Sequence, residues 1–147
     1  ATLLTLFNVF GIPAAFGAPL IYSKIANKKL AMLVLHIPLI IAIPGFVFAT
    51  TELPYVWAVC MGLGQGSMIS IALTLVGMRG ADPQTSARLS GMAQSVGYLF
   101  AAIGPVLFGA LHDLLGDWQV ALYFLFGVVT IQLIASMRAG SATKIGT

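Results

Sequence analysis

Polar and apolar positions along this chain do not alternate with any short period. They fall in long blocks. Seven basic and four acidic residues punctuate five uncharged runs, over residues 1–23, 30–51, 53–78, 89–112 and 118–137. A hydrocarbon layer about 30 Å thick is crossed by about 20 helical residues at 1.5 Å each, and every run reaches that length. Inside lipid each backbone N–H and C=O must be paired within its own segment or a closed barrel. Runs this long without a period of two fit helices and not barrel strands. The pattern predicts five membrane-spanning helices over 1–137, with spans near the limits given above, and a small polar tail over 138–147.

Composition points the same way. Charged residues make up 7% of the chain and apolar ones 59%, whereas a soluble domain is about 25% charged. The net charge of +3 comes from scattered residues, too few to track a phosphate backbone, so a nucleic-acid partner is excluded. Lys24, Lys28 and Lys29 lie between the first and second runs, Arg79 and Arg88 between the third and fourth, and Arg138 and Lys144 after the fifth. Five crossings put all of them on one face, which the positive-inside rule makes cytoplasmic. Glu52, Asp113 and Asp117 mark the opposite face, with Tyr55, Trp57 and Trp118 as an interfacial belt. No basic segment precedes the first apolar run, so it does not read as a signal peptide. The chain reads as a fragment that opens inside or just before a helix. The longest loop is MRGADPQTSARL, with a turn at Asp82-Pro83.

Within the runs the small residues are ordered. Ala93, Gly97, Ala101, Pro105 and Gly109 recur every four residues, and Gly62, Gly66, Ser70 and Thr74 repeat the device in the third run. Such stripes let helix backbones approach closely in lipid. Pro13, Pro19, Pro38, Pro44 and Pro105 lie within the apolar runs, where neighbouring groups can satisfy the carbonyls they free. They read as kinks, with a hinge as the alternative use of Pro105. GLGQG is no dinucleotide fingerprint, because no strand precedes it. No cluster of His, Cys, Asp or Glu suits a metal, and no nucleophile has a base within reach. The chain reads as a non-enzyme without a cofactor.

Residues 87–118, ARLSGMAQSVGYLFAAIGPVLFGALHDLLGDW, resemble the eleventh helix of major facilitator superfamily transporters, closest to the cyanate-porter family. The resemblance implies that the five runs correspond to the eighth through twelfth helices of twelve. They would form most of the carboxyl-terminal six-helix half, with the amino-terminal half missing. It also implies an inner-membrane protein with a cytoplasmic carboxyl end. Lys24, Lys28 and Lys29 in SKIANKKL are similar to a cytoplasmic loop motif of the superfamily, with Ser23 in place of its acid and Ala26 in place of its glycine. Gly104, Pro105 and Gly109 resemble the Gly-Pro motif of the repeat-related fifth helix.

Polar side chains at depth are the candidate substrate ligands: Asn8, Gln65, Gln94 and, one turn after it, Tyr98. The resemblance implies that the eighth, tenth and eleventh helices border the central cavity and so could turn these four toward a small polar solute, to which an amide can both donate and accept. Hydrogen bonding between helices is the other use for such groups. His36 lies in a helix that the resemblance makes peripheral, and a neutral ring bonded to a nearby carbonyl is expected there. None of the five runs holds an acid or a basic residue at mid-depth, so a titrating group for ion coupling belongs elsewhere in the protein. The functional expectation is part of a secondary transporter of a small solute, possible solutes including cyanate. The alternative is a structural subunit of a membrane complex.

Overall fold

A computed structural model describes residues 1–49 and 51–140. Five helices follow one another: α1 (Thr2–Lys24), α2 (Lys28–Phe48), α3 (Pro54–Arg79), α4 (Pro83–Leu115) and α5 (Trp118–Gly140). All five are long and apolar enough to cross a membrane, and no strand occurs among the described residues. Pro13, Pro19, Pro38, Pro44 and Pro105 all sit inside continuous helices.

Local chemistry sets the helix ends. Asn27 starts α2, its side-chain oxygen accepting from the N–H groups of Lys29 at 3.1 Å and Leu30 at 3.2 Å. Asp82 caps α4 through the Thr85 N–H at 2.8 Å, and Pro83 follows in the first turn, where its missing N–H has no helical partner to lose. This cap shortens the expected loop MRGADPQTSARL. The stretch from Pro83 to Arg88 is helix, and the link is cut to Gly80–Asp82. Charge marks where a helix leaves lipid, while capping marks where it begins. At 33 residues, α4 is about 50 Å long and overreaches the hydrocarbon. Gly116 closes it in the left-handed region, φ 70°, its N–H bonded to the His112 carbonyl at 2.7 Å. Helix α5 continues through Arg138 and Ala139 to Gly140. Residues 141–147 of the expected tail, Lys144 among them, lie outside the described residues.

Helix α2 supplies more of the core than any other helix. Ala31, Met32, Leu35, His36, Leu39, Ala42 and Ile43 recur at three- and four-residue steps and are buried against α3 and α5. Its opposite face, with Leu33, Ile37 and Ile41, is exposed and wholly apolar, as a lipid-facing surface should be. His36 sits in that core and is bonded as expected: Nδ1–H donates to the Met32 carbonyl, one turn back, at 2.8 Å. Its Nε2 faces the Ser136 hydroxyl of α5 at 3.5 Å.

The tightest seam joins α1 to α3. A Cβ on Gly66 would overlap the backbone of Gly11, and a Cβ on Gly62 the backbone of Phe7. The stripe expected in the third helix is therefore in backbone contact with a neighbour at Gly62 and Gly66. Gly64, off the stripe, abuts Leu39 of α2 in the same way. The stripe expected in α4 stands differently. Among the described residues α4 buries none of its side chains. Beta-carbons placed on Gly97, Gly104 and Gly109 meet no atom within 4 Å.

Short links make successive helices run in opposite directions. The carboxyl ends of α1, α3 and α5 meet the amino end of α2: the Tyr22 hydroxyl donates to the Gly140 carbonyl at 3.3 Å, and Arg79 shares a groove with Met32 and Ala139. Lys24, Lys28, Lys29, Arg79 and Arg138 thus gather at one end of the bundle.

Candidate functional site

The α1–α3 seam positions the clearest site. Where two glycine-bearing backbones touch, side chains one turn to either side have no bulk over them. A groove of about 240 Å³ opens there, lined by Phe7, Asn8, Gly11, Ile12, Gln65 and Ile69 among others. The structure thereby brings together two of the four candidates, Asn8 and Gln65. Asn8 donates from Nδ2 to the Leu4 carbonyl at 2.8 Å, and among the described residues no bond engages its side-chain oxygen. Gln65 lies one residue before Gly66 and makes no hydrogen bond among the described residues. No charged side chain lines the groove. Its chemistry is that of two carboxamides on apolar walls: donors and acceptors, without net charge.

Gln94 and Tyr98 do not join this groove. They share a face of α4 one turn apart, as the spacing requires. Gln94 donates to the Ser90 hydroxyl at 2.8 Å, and Tyr98 is 70% exposed. Gly104, Pro105 and Gly109 line a separate gap of about 530 Å³ between α4 and α5, walled by Phe100, Phe108, Trp118 and Phe124. At its end the His112 ring stacks on Trp118 with centroids 3.9 Å apart, and lies 3.4 Å from the Asp113 carboxylate. No three His, Cys, Asp or Glu side chains among the described residues lie close enough to hold a metal.

At the basic end, Lys28 does something its place in a loop motif did not suggest. Its Nζ donates to the carbonyls of Tyr22 at 2.8 Å and Ile25 at 2.9 Å, and rests 4.6 Å from the centre of the Tyr22 ring. The ammonium thus closes the carboxyl end of α1, where unpaired carbonyls and the helix dipole favour a cation. A lysine shortly after a helix end is the signal that could have revealed this. Lys24 and Lys29 are exposed.

No family profile matches the chain, and no solved structure does. Curated proteins do match. The chain is 32% identical over 94% of its length to the uncharacterized transporter YycB of Bacillus subtilis. It is 43% identical over 55% of its length to the 2-nitroimidazole transporter of Escherichia coli, and 27% identical over 90% to the cyanate transport protein CynX of the same organism. It spans 35% of YycB and of CynX and 20% of the 2-nitroimidazole transporter. Relatives of this kind do not favour a structural subunit. These relatives are transporters, each matched over only part of its own length, and this is consistent with the cyanate-porter-like resemblance carried by the fourth helix.

Proposed function

We propose that the chain is the carboxyl-terminal part of a secondary transporter of the cell membrane. The complete protein holds a small polar solute near mid-membrane and exposes it to each side in turn. Residues 1–137 contribute five spans, and the remaining helices come from sequence outside this chain. The carboxyl end is cytoplasmic, as the basic residues gathered at one end of the bundle favour. Two relatives are named for cyanate and for 2-nitroimidazole, which supports a solute of that size. Gln94 and Tyr98 turn toward the path from α4, and the small residues of that helix pack against the missing half.

The observation that carries the solute-binding part is Gln65. A carboxamide with no hydrogen bond, within a membrane helix and facing an open groove, is costly in lipid unless water or solute meets it. Asn8 offers its free oxygen to the same groove. The test uses full-length protein in vesicles, with uptake measured for small anions and nitrogen heterocycles. Loss of one amide hydrogen bond, worth about 1 kcal/mol, weakens binding about fivefold. Gln65→Ala and Asn8→Ala should therefore each raise KM by about that factor at normal expression. Wild-type kinetics in both single variants and in the double variant would remove the groove from the transport path.

A further inference from the structure

A second polar group at the basic end has no partner. Arg79 is the last residue of α3. Its Nη2 is shut off from solvent and makes no hydrogen bond. No acid among the described residues answers the charge. The only ion pair among the described residues is His112 with Asp113. Asp82, three residues on, spends both carboxylate oxygens on Thr85. The negative end of the α3 dipole favours a cation there but leaves its N–H groups unbonded. A half-desolvated guanidinium with an idle donor is an anion site by its chemistry.

The surroundings narrow the anion. Arg79 lines a groove of about 320 Å³ between α3 and α5, floored by Met32 of α2. Its other polar side chains are Gln132 and Ser136 of α5, and apolar walls run from Leu75 and Val76 to Ile71, two turns deeper. Ala72 and Ala135 in its lining are exposed, so the groove opens sideways. A free ion would leave these walls empty. A ligand with an anionic head and an apolar tail fits both parts, and at the rim of a bilayer an anionic phospholipid is such a molecule. We propose that this groove binds one anionic phospholipid, with its phosphate at Arg79 and the start of one acyl chain along Leu75 and Ile71.

The experiment takes the full-length protein, stripped of lipid in detergent. It is titrated with phosphatidylglycerol or zwitterionic phosphatidylcholine, and bound lipids are counted by native mass spectrometry. Wild-type protein should retain one phosphatidylglycerol that Arg79→Gln binds roughly tenfold more weakly, as expected for a charge-assisted hydrogen bond. Leu75→Trp, which keeps the guanidinium and fills the groove, should lose the same lipid. Lys29→Gln, an exposed charge on the same end, should keep it. Equal retention in wild type, Arg79→Gln and Leu75→Trp overturns the proposal, as does equal dependence on Arg79 for phosphatidylcholine. Calorimetric binding of inorganic phosphate that needs Arg79, with lipid counts indifferent to it, also overturns it in favour of a free-anion site.

Discussion

Replacing Gly66 by alanine tests the α1–α3 seam at the point where it is tightest. The added Cβ would lie 2.8 Å from both the carbonyl carbon and the Cα of Gly11, and closer still to the oxygen. Carbon atoms in good contact sit about 3.5–4.0 Å apart, so the overlap is roughly 1 Å. The obstacle is backbone, which has no rotamer to escape into, and α1 itself must withdraw. A gap of 0.5–1 Å forfeits about a quarter to a half of each contact it opens. Overpacking costs typically about 1–3 kcal/mol, and a rigid neighbour puts this site at the upper end. Against that stands the preference of helices for alanine over glycine, about 1 kcal/mol. The net expectation for Gly66→Ala is a loss of about 2 kcal/mol.

Gly17 of the same α1 provides the comparison, because a Cβ there meets nothing within 4 Å. Gly17→Ala should gain up to about 1 kcal/mol from helix propensity alone. The two identical chemical changes therefore differ in sign. Reversible unfolding of the full-length protein in mixed micelles, followed by circular dichroism as denaturing detergent is added, measures both. Shifts of the same sign and size would refute the claim that backbone contact at Gly11 holds α1 to α3.

Two further outcomes concern the helix ends. The Thr85 amide and hydroxyl bonded to Asp82 hold its carboxyl below the usual carboxylate range. A lowered folded-state value means that the cap's contribution is complete above the unfolded carboxylate pKa and fades as pH falls through the folded one. Hydrogen exchange at Thr85 should accelerate across that acidic window in wild type, and Asp82→Ala should show fast exchange at every pH. Lys28→Met removes the ammonium bonds to the Tyr22 and Ile25 carbonyls. It should destabilise the bundle by about 1 kcal/mol in the same unfolding assay, while exposed Lys29→Met leaves stability unchanged.

Element number and type were legible because lipid leaves the backbone few options. Five uncharged runs of sufficient length became five helices, and none of the five internal prolines broke one. Arg88 could mark where an uncharged run ends but not where a helix starts, and α4 begins at the Asp82-Pro83 pair that was read as a turn. The glycine stripe announced a close approach at Gly62 and Gly66 but not its partner. Nothing in the spacing of α3 points to Gly11, which lies in another helix. The roles of Lys28 and Arg79 were hidden for a related reason. Arg79 depends on how distant helices pack, and Lys28, whose carbonyl partners lie only three and six residues back, on knowing where α1 ends.

The contrast between α3 and α4 bears on what else the complete protein contains. Both carry small-residue stripes and amides, yet only in α3 are the glycines of the stripe, Gly62 and Gly66, covered. Gln94 spends one donor on Ser90, a neighbour on its own helix, and Tyr98 has no hydrogen bond among the described residues. Left against hydrocarbon, a carboxamide and a phenol with unmet bonding capacity cost free energy that leucine in their place would not. Apolar side chains flank them on α4, Leu99 at 67% and Phe100 at 71% exposure, so the helix is not simply a water-soluble one. A helix apolar enough for lipid but polar along one line is best satisfied at a boundary between protein or water on that line and lipid elsewhere. Gly97, Gly104 and Gly109 leave room for backbone on the same helix. The surface of α4 thus leaves room for a neighbour, and this chain spans only about a third of the length of YycB and of CynX.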